Sequence, residues 1–330
     1  MAVLETRNPT LSDYIQVFNG NDTVAEIIEI LTEKHDELQD MVTIEANGLH
    51  DHLTTIRTGI PKGVFRKLYK GTPPEKATTT TVRDSMGELV ARAEIDQKLL
   101  ELNGRKSEWL RQEEAAFIEG MGQTMAETLW YGDSSINPER FMGLSPRYSE
   151  LSAENGRNIV NAGGTGADNA SIWLVSWGKN KIHGIFPKGS TAGLHKHDYG
   201  ENVRVHDKDG NVFDAHASRF TWNNGLCVAD WRYAVRIANI DVKKLNEDMS
   251  NGSANLPQLM ARALRLIQDL SGQTMFYMNR DVRMALDAQI QQASKYTLVD
   301  KDVGGKIISH FGGVPIRTTD ALLSTEARVK

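Results

Sequence analysis

The chain has 330 residues, 40% of them hydrophobic and 25% charged, and its formal net charge is -5. Its length suits about two globular domains, and its weak acidity excludes the basic excess typical of proteins that bind nucleic acid tightly. The single cysteine excludes an intramolecular disulfide, and no segment is long and apolar enough to span a bilayer.

Two N-terminal segments are predicted ahead of the first strand. Residues 1–22 contain few periodic apolar positions, which indicates an extended arm. Thr23 and Glu26 then match a capping box, and apolar residues recur at helical spacing behind them. This pattern predicts a helix near 24–39, within an N-terminal helical segment bounded at 23–46.

A long β-hairpin is predicted over residues 47–96. The apolar pattern there has period two with many β-branched residues, and "GVFRKLY" (63–69) continues the first strand up to a turn at Pro73 and Pro74. The threonine run that follows favours a strand but offers little apolar area. Because a two-stranded ribbon is marginal on its own in water, we expect the hairpin to lie on another surface.

Two helices are predicted after the hairpin, a short one near 96–103 and a long one over 105–131. Gly120 and Gly122 lie inside the long helix, and each interior glycine costs about 1 kcal/mol relative to alanine. Tertiary packing must therefore support this helix, and its small residues permit the close approach of a neighbour. Its apolar face consists of Leu110, Phe117, Met121, Met125 and Leu129.

The middle of the chain is predicted to be rich in β-structure. Residues 150–170 are rich in Gly, Asn and Ser and indicate a loop, after which a β-rich block covers 171–240. We expect an antiparallel meander in this block, with turns at "DKDGN" (207–211) and "NNG" (223–225).

The last part of the chain, 250–330, alternates helix and strand. An amphipathic helix is predicted over 256–270, followed by the strand "TMFYM" and a second helix with Asn279 as its N-cap. The segment "KIISHFGGVPIRTTDALL" supplies the closing strands.

The best candidates for metal ligands lie in "LHKHD", with two more histidines downstream. Histidines at i and i+2 can converge on a metal, but this Gly-rich segment lacks a familiar ligand spacing, so solvated loop histidines are the favoured interpretation. "DKDGN" lacks the spacing of a calcium loop, and "GGTG" (163–166) lacks that of a phosphate loop. The histidines and acid concerned are His195, His197, Asp198, His206 and His216.

No catalytic group, cofactor or metal site is predicted. Glu113 and Glu114 are adjacent on a helix and point about 100° apart, so they do not form an acid and base pair. Cys227 lies in an apolar, β-branched run, which favours a packed thiol over a nucleophile. Three predicted features still lack a packing partner: the N-terminal arm, the polar ribbon and the glycine-containing helix. Because isolated arms and ribbons cannot offset the entropy lost on ordering, these features indicate that neighbouring copies of the chain complete their packing.

A family resemblance supports assembly. The runs "TVAEIIEIL", "RTGIPKGVFRKLYKG", "ARAEIDQKLLELNG", "RQEEAAFIEGMGQTMAETLWYGD" and "NPERFMGLSPRY", with "TMFYMNRDVRMALDAQI" and "GGVPIRTTDAL" later, resemble major capsid proteins of short-tailed double-stranded DNA phages. The resemblance implies the α+β Hong Kong 97-type capsid fold. In those terms 1–22 is the N-arm, 47–96 the E-loop, 97–249 a peripheral domain with the spine helix 105–131, and 250–330 an axial domain.

The resemblance also implies function and partners. It indicates a structural protein, not an enzyme, that assembles as hexamers and pentamers into an icosahedral shell and contacts packaged double-stranded DNA non-specifically. A portal protein, a decoration protein in some relatives, and a separate scaffolding protein are expected, the last because the first strong helix begins only at Thr23. No membrane partner is expected. The predicted location is the virion, after assembly in the host bacterial cytoplasm.

Charged residues of the hairpin and the long helix are the predicted intersubunit contacts. Lysines on the ribbon are interpreted as solvated groups rather than as sites of covalent crosslinking. Two alternatives remain open: an encapsulin-like compartment of a cell, and a metal-dependent hydrolase using His195, His197 and His216. The predicted contact residues are Arg57, Lys62, Arg66, Lys67, Lys70, Glu75, Lys76, Arg83, Glu113 and Glu114.

Overall fold

The computed structural model describes residues 35–101, 106–207, 209–247, 254–292, 299–303 and 306–330. The predicted arm at 1–22 lies outside the described residues, as does most of the predicted helix 24–39. In chain order the elements are α1 (Asp36–Asp40), β1 (Thr43–Glu45), β2 (Asp51–Gly59), β3 (Thr78–Asp96), α2 (Gln97–Glu101), α3 (Lys106–Tyr131), α4 (Leu144–Arg147), β4 (Ile159–Asn161), β5 (Asn169–Trp177), β6 (Ile182–Phe186), β7 (Leu194–His206), β8 (Val212–Val228), β9 (Ala234–Asp241), α5 (Val242–Glu247), α6 (Leu256–Leu266), β10 (Gln273–Met278), α7 (Arg280–Gln292), β11 (Val299–Val303), β12 (Lys306–Phe311) and β13 (Val314–Thr318).

A mixed sheet connects almost every part of the described chain. Neighbouring strands follow the order β11-β12-β13-β10-β5-β6-β8-β3-β2, and β1, β7 and β9 attach to β6, β8 and β5. β4 pairs with β9. Because β10 pairs with β5, the sheet is continuous across the predicted boundary between the peripheral and axial domains at residue 249.

β5 forms the centre of the fold because both of its faces are apolar. Trp173, Val175 and Trp177 belong to the same core as the buried side chains of α3. The intervening residues Ile172 and Leu174 pack with α6 and α7 on the opposite face. Each large side chain buried in this way stabilises the fold by about 1.5–3 kcal/mol, so the period-two pattern of "SIWLVSW" builds two cores at once.

The long helix α3 has nearly the predicted bounds. Met121, Met125 and Leu129 of its predicted apolar face are buried, and Leu110 and Phe117 are half-buried. The helix ends at Tyr131, where the chain turns through Gly132. A Cβ at Gly132 would lie 2.5 Å from the carbonyl oxygen of Phe141, so a glycine permits the close crossing of the two segments here.

The helical segment 23–46 extends too far in our prediction. In the described part the helix ends at Asp40, and Thr43–Glu45 forms β1, which pairs in parallel with Gly184–Phe186 of β6. Thr43 and Ile44 are β-branched, so they suit a strand, and β6 supplies backbone partners at this position.

Several turns of the β-rich block also differ from the prediction. The NNG segment continues β8, because Asn223, Asn224 and Gly225 pair with Glu88, Gly87 and Met86 of β3. A Cβ at Gly225 would lie 2.8 Å from the carbonyl oxygen of Ser85, so this glycine serves strand approach rather than a turn. The predicted loop 150–170 contains the buried strand β4, and "LHKHD" belongs to β7.

The C-terminal elements confirm the predicted alternation of helix and strand. Asn279 caps α7 through its side-chain oxygen, which accepts a hydrogen bond from the N–H of Val282 at 2.9 Å. Asn255 caps α6 in the same way, but that helix ends at Leu266, short of the predicted 270. After β13 the chain returns to the sheet, where Glu326 pairs with Asn169 of β5, and the carbonyl of Lys330 then accepts a hydrogen bond from the N–H of Leu151.

Two buried acids connect α1 to the C-terminal segment. Oε1 of Glu37 accepts hydrogen bonds from the Thr319 hydroxyl at 2.8 Å and the Trp130 indole N–H at 3.4 Å. Asp40 accepts from Arg317 and from the Tyr277 hydroxyl, both at 3.1 Å. Burial raises the pKa of Glu37 to about 7, against the hydrogen bonds from Thr319 and Trp130, which lower it.

We expect the Glu37→Gln variant to flatten the dependence of stability on pH. The folded pKa of Glu37 is about 7 and its unfolded pKa about 4.5, so stability from the neutral acid is fully present below pH 4.5 and is lost as the pH rises through 7. Between pH 5 and 8 the unassembled wild-type subunit should therefore lose about 2–3 kcal/mol from this group, and the glutamine variant should not.

Urea unfolding of both proteins at pH 5 and pH 8 measures this difference. Glu150→Gln, at an exposed position, is the matched control and should keep the wild-type pH profile. An unchanged profile in Glu37→Gln would show that Glu37 is ionised in the folded subunit throughout this range.

Candidate functional site: the extended hairpin and the long helix

The hairpin formed by β2 and β3 leaves the sheet as a two-stranded ribbon. β2 pairs with the first part of β3, from Asp51 opposite Ser85 to Gly59 opposite Thr78. From Met86 onward β3 pairs with β8 instead. The nine residues of β2 correspond to about 30 Å of strand. Thr54, near its start, still contacts the buried Cys227, whereas Arg57, Thr58 and the residues that follow Gly59 are exposed, so the outer part of the ribbon leaves the core of its own subunit.

The two strands are joined by an open loop, residues 60–77, which we term the tip loop. The predicted strand "GVFRKLY" and the predicted turn at Pro73 and Pro74 are therefore wrong: the loop has no strand, and its turn lies at Leu68 and Tyr69. Prolines lack the N–H that a ladder requires, and Gly63 has a φ of 69°, outside the range of a strand.

The tip loop carries large apolar side chains that its own subunit leaves exposed. Every residue of the loop is exposed, and Phe65 is as open to solvent as it would be in an extended peptide, at 107%. Exposed apolar clusters of this kind mark interaction surfaces. The apolar tip residues are Ile60, Val64, Phe65, Leu68 and Tyr69. Our sequence reasoning missed them because it treated this segment as a polar ribbon.

The predicted charged contact residues occupy two kinds of position. Glu75 accepts a hydrogen bond from the Gly63 N–H within the loop at 3.0 Å, and Arg83 pairs with Asp51 across the ribbon at 3.1 Å. On α3 Glu114 pairs with Lys196 of β7, and the neighbouring Glu113 is half-buried. The exposed basic residues of the ribbon are Arg57, Lys62, Arg66, Lys67, Lys70 and Lys76.

The tip loop and the long helix have opposite charge. The loop contains five basic residues and one acidic residue, so its formal charge is +4. α3 contains five acidic residues and two basic residues, which gives -3. Ala115, Ala116 and Ile118 of α3 are exposed, and a Cβ at Gly120 would meet no atom within 4 Å, so a narrow, open strip runs along this acidic helix.

A cleft lies beside that strip, between α3, β3 and the segment after the helix. Its volume is about 270 Å³, larger than the roughly 150 Å³ cavity that is known to bind benzene. Leu89, Met125 and Phe141 supply apolar walls, and the charged residues Glu88, Glu139 and Arg140 also line it. We term this the acceptor cleft.

Comparison with known proteins identifies the family. The family model for major capsid protein GP7 matches residues 19–330. The chain belongs to the major capsid protein GP7 family. No curated protein sequence matches it significantly.

Solved capsid structures agree with this assignment. A chain of the bacteriophage Epsilon15 structure is 30% identical with a TM-score of 0.79, and the match covers 100% of this capsid protein and 99% of that chain. A chain of the bacteriophage JBD30 capsid is 8% identical with a TM-score of 0.53, over 89% and 93% of the two chains, which shows the fold alone. The predicted Hong Kong 97-like α+β capsid fold is confirmed.

Family membership decides between the functions that the sequence left open. A major capsid protein is a structural protein of the virion, and many copies of it form the shell of the phage head. The SrpI encapsulin of Synechococcus elongatus PCC 7942 is 9% identical with a TM-score of 0.45 over 68% and 93% of the chains, a weaker likeness than that to the Epsilon15 chain. No helix in the described ranges combines the length and apolar character needed to cross a membrane.

The histidines proposed for a hydrolase do not form a metal site in this capsid protein. Nε2 of His195 lies 3.1 Å from the Thr191 hydroxyl, and the ring of His197 packs against Tyr199. His216 is buried and lies 3.3 Å from Asp198, whereas His206 is exposed at the end of β7. These side chains lie along two strands, so the described residues do not bring three of them together as ligands.

The remaining motifs have structural roles. Asp207 closes the turn of "DKDGN" by accepting hydrogen bonds from the backbone N–H groups of Asp209 and Asn211, as the turn interpretation predicted. Cys227 is buried, and burial raises the pKa of its thiol to about 12. The cysteine is therefore a protonated, packed thiol in the metal-free subunit.

Proposed function

We propose that copies of this capsid protein join by laying the tip loop of one subunit over α3 and the acceptor cleft of a neighbour. The observation that carries the proposal is the exposure of the apolar tip residues at the end of a projecting ribbon. A subunit gains nothing by holding Phe65 and Leu68 in water, whereas burying each against a neighbour stabilises the contact by about 1.5–3 kcal/mol.

Charge supports the same pairing. The basic tip loop would approach the acidic helix, and opposite charges steer association and set its orientation more than they raise its affinity. In this arrangement the predicted contacts Arg57, Lys62, Arg66, Lys67, Lys70 and Lys76 face acidic groups of the neighbour. Because the loop and its acceptor are different surfaces, the contact is heterologous, the class of contact that forms rings where the rotation between subunits closes.

We propose the remaining partners from the family resemblance. Rings of five and six subunits would complete an icosahedral shell around double-stranded DNA, assembled with a separate scaffolding protein and a portal protein. A decoration protein stays a further candidate. The division into a peripheral domain at 97–249 and an axial domain at 250–330 is also a proposal, with the sheet continuous between them.

Replacing the tip loop tests the assembly contact. In one variant Gly and Ser replace residues 60–77 at equal length, and in the control they replace only 71–76, which contains none of the apolar tip residues. Electron microscopy and size-exclusion chromatography, with the scaffolding partner supplied, should show shells for the control and folded single subunits for the full replacement. Normal shells from the full replacement would overturn the proposed contact.

A further inference from the structure

Three potential metal ligands from separate parts of the chain meet at the base of the hairpin. His52 lies on β2, His183 on β6 and Cys227 on β8. One ligand atom from each side chain lies within 4.8 Å of the other two. His183 and Cys227 are buried, and His52 is half-buried near the start of the first strand of the ribbon. The cluster therefore joins the projecting hairpin to the sheet.

His183 has a ring nitrogen that its own subunit leaves without a partner. Its Nδ1 is buried and has no hydrogen-bond partner among the described residues, and the residue as a whole is only 2% exposed. Buried polar atoms are seldom left unsatisfied, and an imidazole nitrogen without a partner is an available metal ligand.

Metal binding by His52 and Cys227 requires each side chain to exchange a present bond for a bond to the metal. Nδ1 of His52 accepts a hydrogen bond from the Asn47 N–H at 3.3 Å, and binding through either ring nitrogen exchanges this long bond for a metal bond. The Cys227 sulfur lies 3.3 Å from the Thr54 hydroxyl. A divalent cation replaces the thiol proton, which passes to solvent, so a metal–sulfur bond forms as the S–H bond breaks.

A buried acid beside the cluster favours a cation. Oδ1 of Asp84 pairs with Arg147 at 2.8 Å, whereas Oδ2 is buried with no hydrogen-bond partner among the described residues. Asp84 lies directly opposite His52 in the pairing of β2 with β3, which places its carboxylate beside the cluster. An unsatisfied carboxylate oxygen can fill the fourth position or accept a hydrogen bond from a water in that position.

We propose that His52, His183 and Cys227 bind a zinc ion that fixes the base of the hairpin to the sheet. Two imidazoles and a thiolate are ligands that zinc prefers, and a tetrahedral site places ligand atoms about 3.3–3.6 Å apart. The ligand atoms, which lie within 4.8 Å of one another, would need to approach by up to about 1.5 Å to complete this geometry. Since His52 alone belongs to the hairpin, the metal would set the direction in which the ribbon leaves the subunit. This inference does not depend on where the tip loop docks.

Cobalt serves as a spectroscopic probe for the site. The purified full-length protein is first analysed for zinc, then treated with a chelator and titrated with Co²⁺ and with Zn²⁺. We expect one equivalent of metal per chain and a thiolate-to-cobalt charge-transfer band that Zn²⁺ removes. Cys227→Ser should lose the band, and His52→Ala should weaken cobalt binding at least tenfold, because outer ligands alone already contribute tenfold or more.

His50→Ala is the matched control, because His50 is exposed on the same hairpin two residues before His52. It should bind cobalt as the wild type does. Circular dichroism establishes that each variant is folded, and if Cys227→Ser fails to fold, the half-buried His52→Ala decides. A folded wild type that contains no zinc and develops no charge-transfer band overturns the proposal, as does an equal loss of binding in His50→Ala and His52→Ala.

Discussion

Replacing Phe65 and Leu68 by serine should prevent shell assembly while leaving the subunit folded. Phe65 is 107% exposed and Leu68 84% exposed, so their truncation removes no contact within the subunit and should change its stability by less than about 0.5 kcal/mol. If both side chains are buried against a neighbour, the lost burial is about 4 kcal/mol per loop. Because every 1.4 kcal/mol is a factor of ten, pairwise association should weaken about a thousandfold.

Sedimentation and electron microscopy measure assembly, and urea unfolding measures the stability of the subunit. Phe65→Leu, which keeps an apolar side chain, should assemble with little loss, and Thr72→Ala in the same loop should behave as wild type. The interpretation fails if the double variant forms shells at the wild-type concentration. It also fails if the double variant is unfolded, since these side chains would then belong to a core.

The tip loop shows a limit of predicting strands from the apolar pattern of a sequence. The hairpin that contains "GVFRKLY" was correctly predicted, but the continuation of its first strand through this segment was not. The apolar residues come in two adjacent pairs, Val64 with Phe65 and Leu68 with Tyr69, so they do not follow the period of two that marks one face of a strand. The segment is a loop, because Pro61 precedes it, Gly63 begins it with a positive φ, and prolines follow it. These apolar side chains have no face of their own subunit to pack on, and together they form an exposed surface.

Local signals located those elements that depend on local physics. The predicted cap at Asn279 and the predicted apolar stripe of α3 follow from helix geometry, and the structure confirms them. The Asn-Gly pair at Asn224 and Gly225 misled the prediction, since a distant strand occupies the space that a turn would need. At such a position the packing of a neighbouring strand overrides the turn propensity of the Asn-Gly pair.

The cluster of His52, His183 and Cys227 could not be predicted from spacing. Metal motifs are recognised when their ligands lie a few residues apart, whereas His52 lies 131 residues before His183, and Cys227 lies 44 residues after it. His183 and Cys227 meet because they pair directly between β6 and β8. The histidines of "LHKHD" have the more suggestive spacing, yet the strand β7 disperses them along its length. Only the register of the sheet determines which histidines meet.

A buried ion pair holds the C-terminal segment against the sheet. Arg236 on β9 donates to Glu326 at 2.9 Å, and their side chains are 3% and 5% exposed. Glu326 also accepts hydrogen bonds from the hydroxyls of Tyr131 and Ser171, and its backbone pairs with Asn169. Burial and the adjacent Glu326 raise the pKa of Tyr131, so its hydroxyl stays a donor to the carboxylate.

Glu326→Ala should destabilise the subunit by about 3–5 kcal/mol, because Arg236 would keep a buried charge without its counterion. Urea unfolding of the unassembled subunit measures the loss. Glu88→Ala is the matched control: Glu88 pairs with Arg219 at a similar 3.1 Å, but the two side chains are 53% and 41% exposed, so the cost should be below about 1 kcal/mol. The double variant Arg236→Leu/Glu326→Leu should lose less stability than Glu326→Ala alone, because it leaves no unpaired charge in the core. Equal losses in Glu326→Ala and Glu88→Ala would show that water reaches Arg236 and that the C-terminal segment is held by its apolar contacts instead.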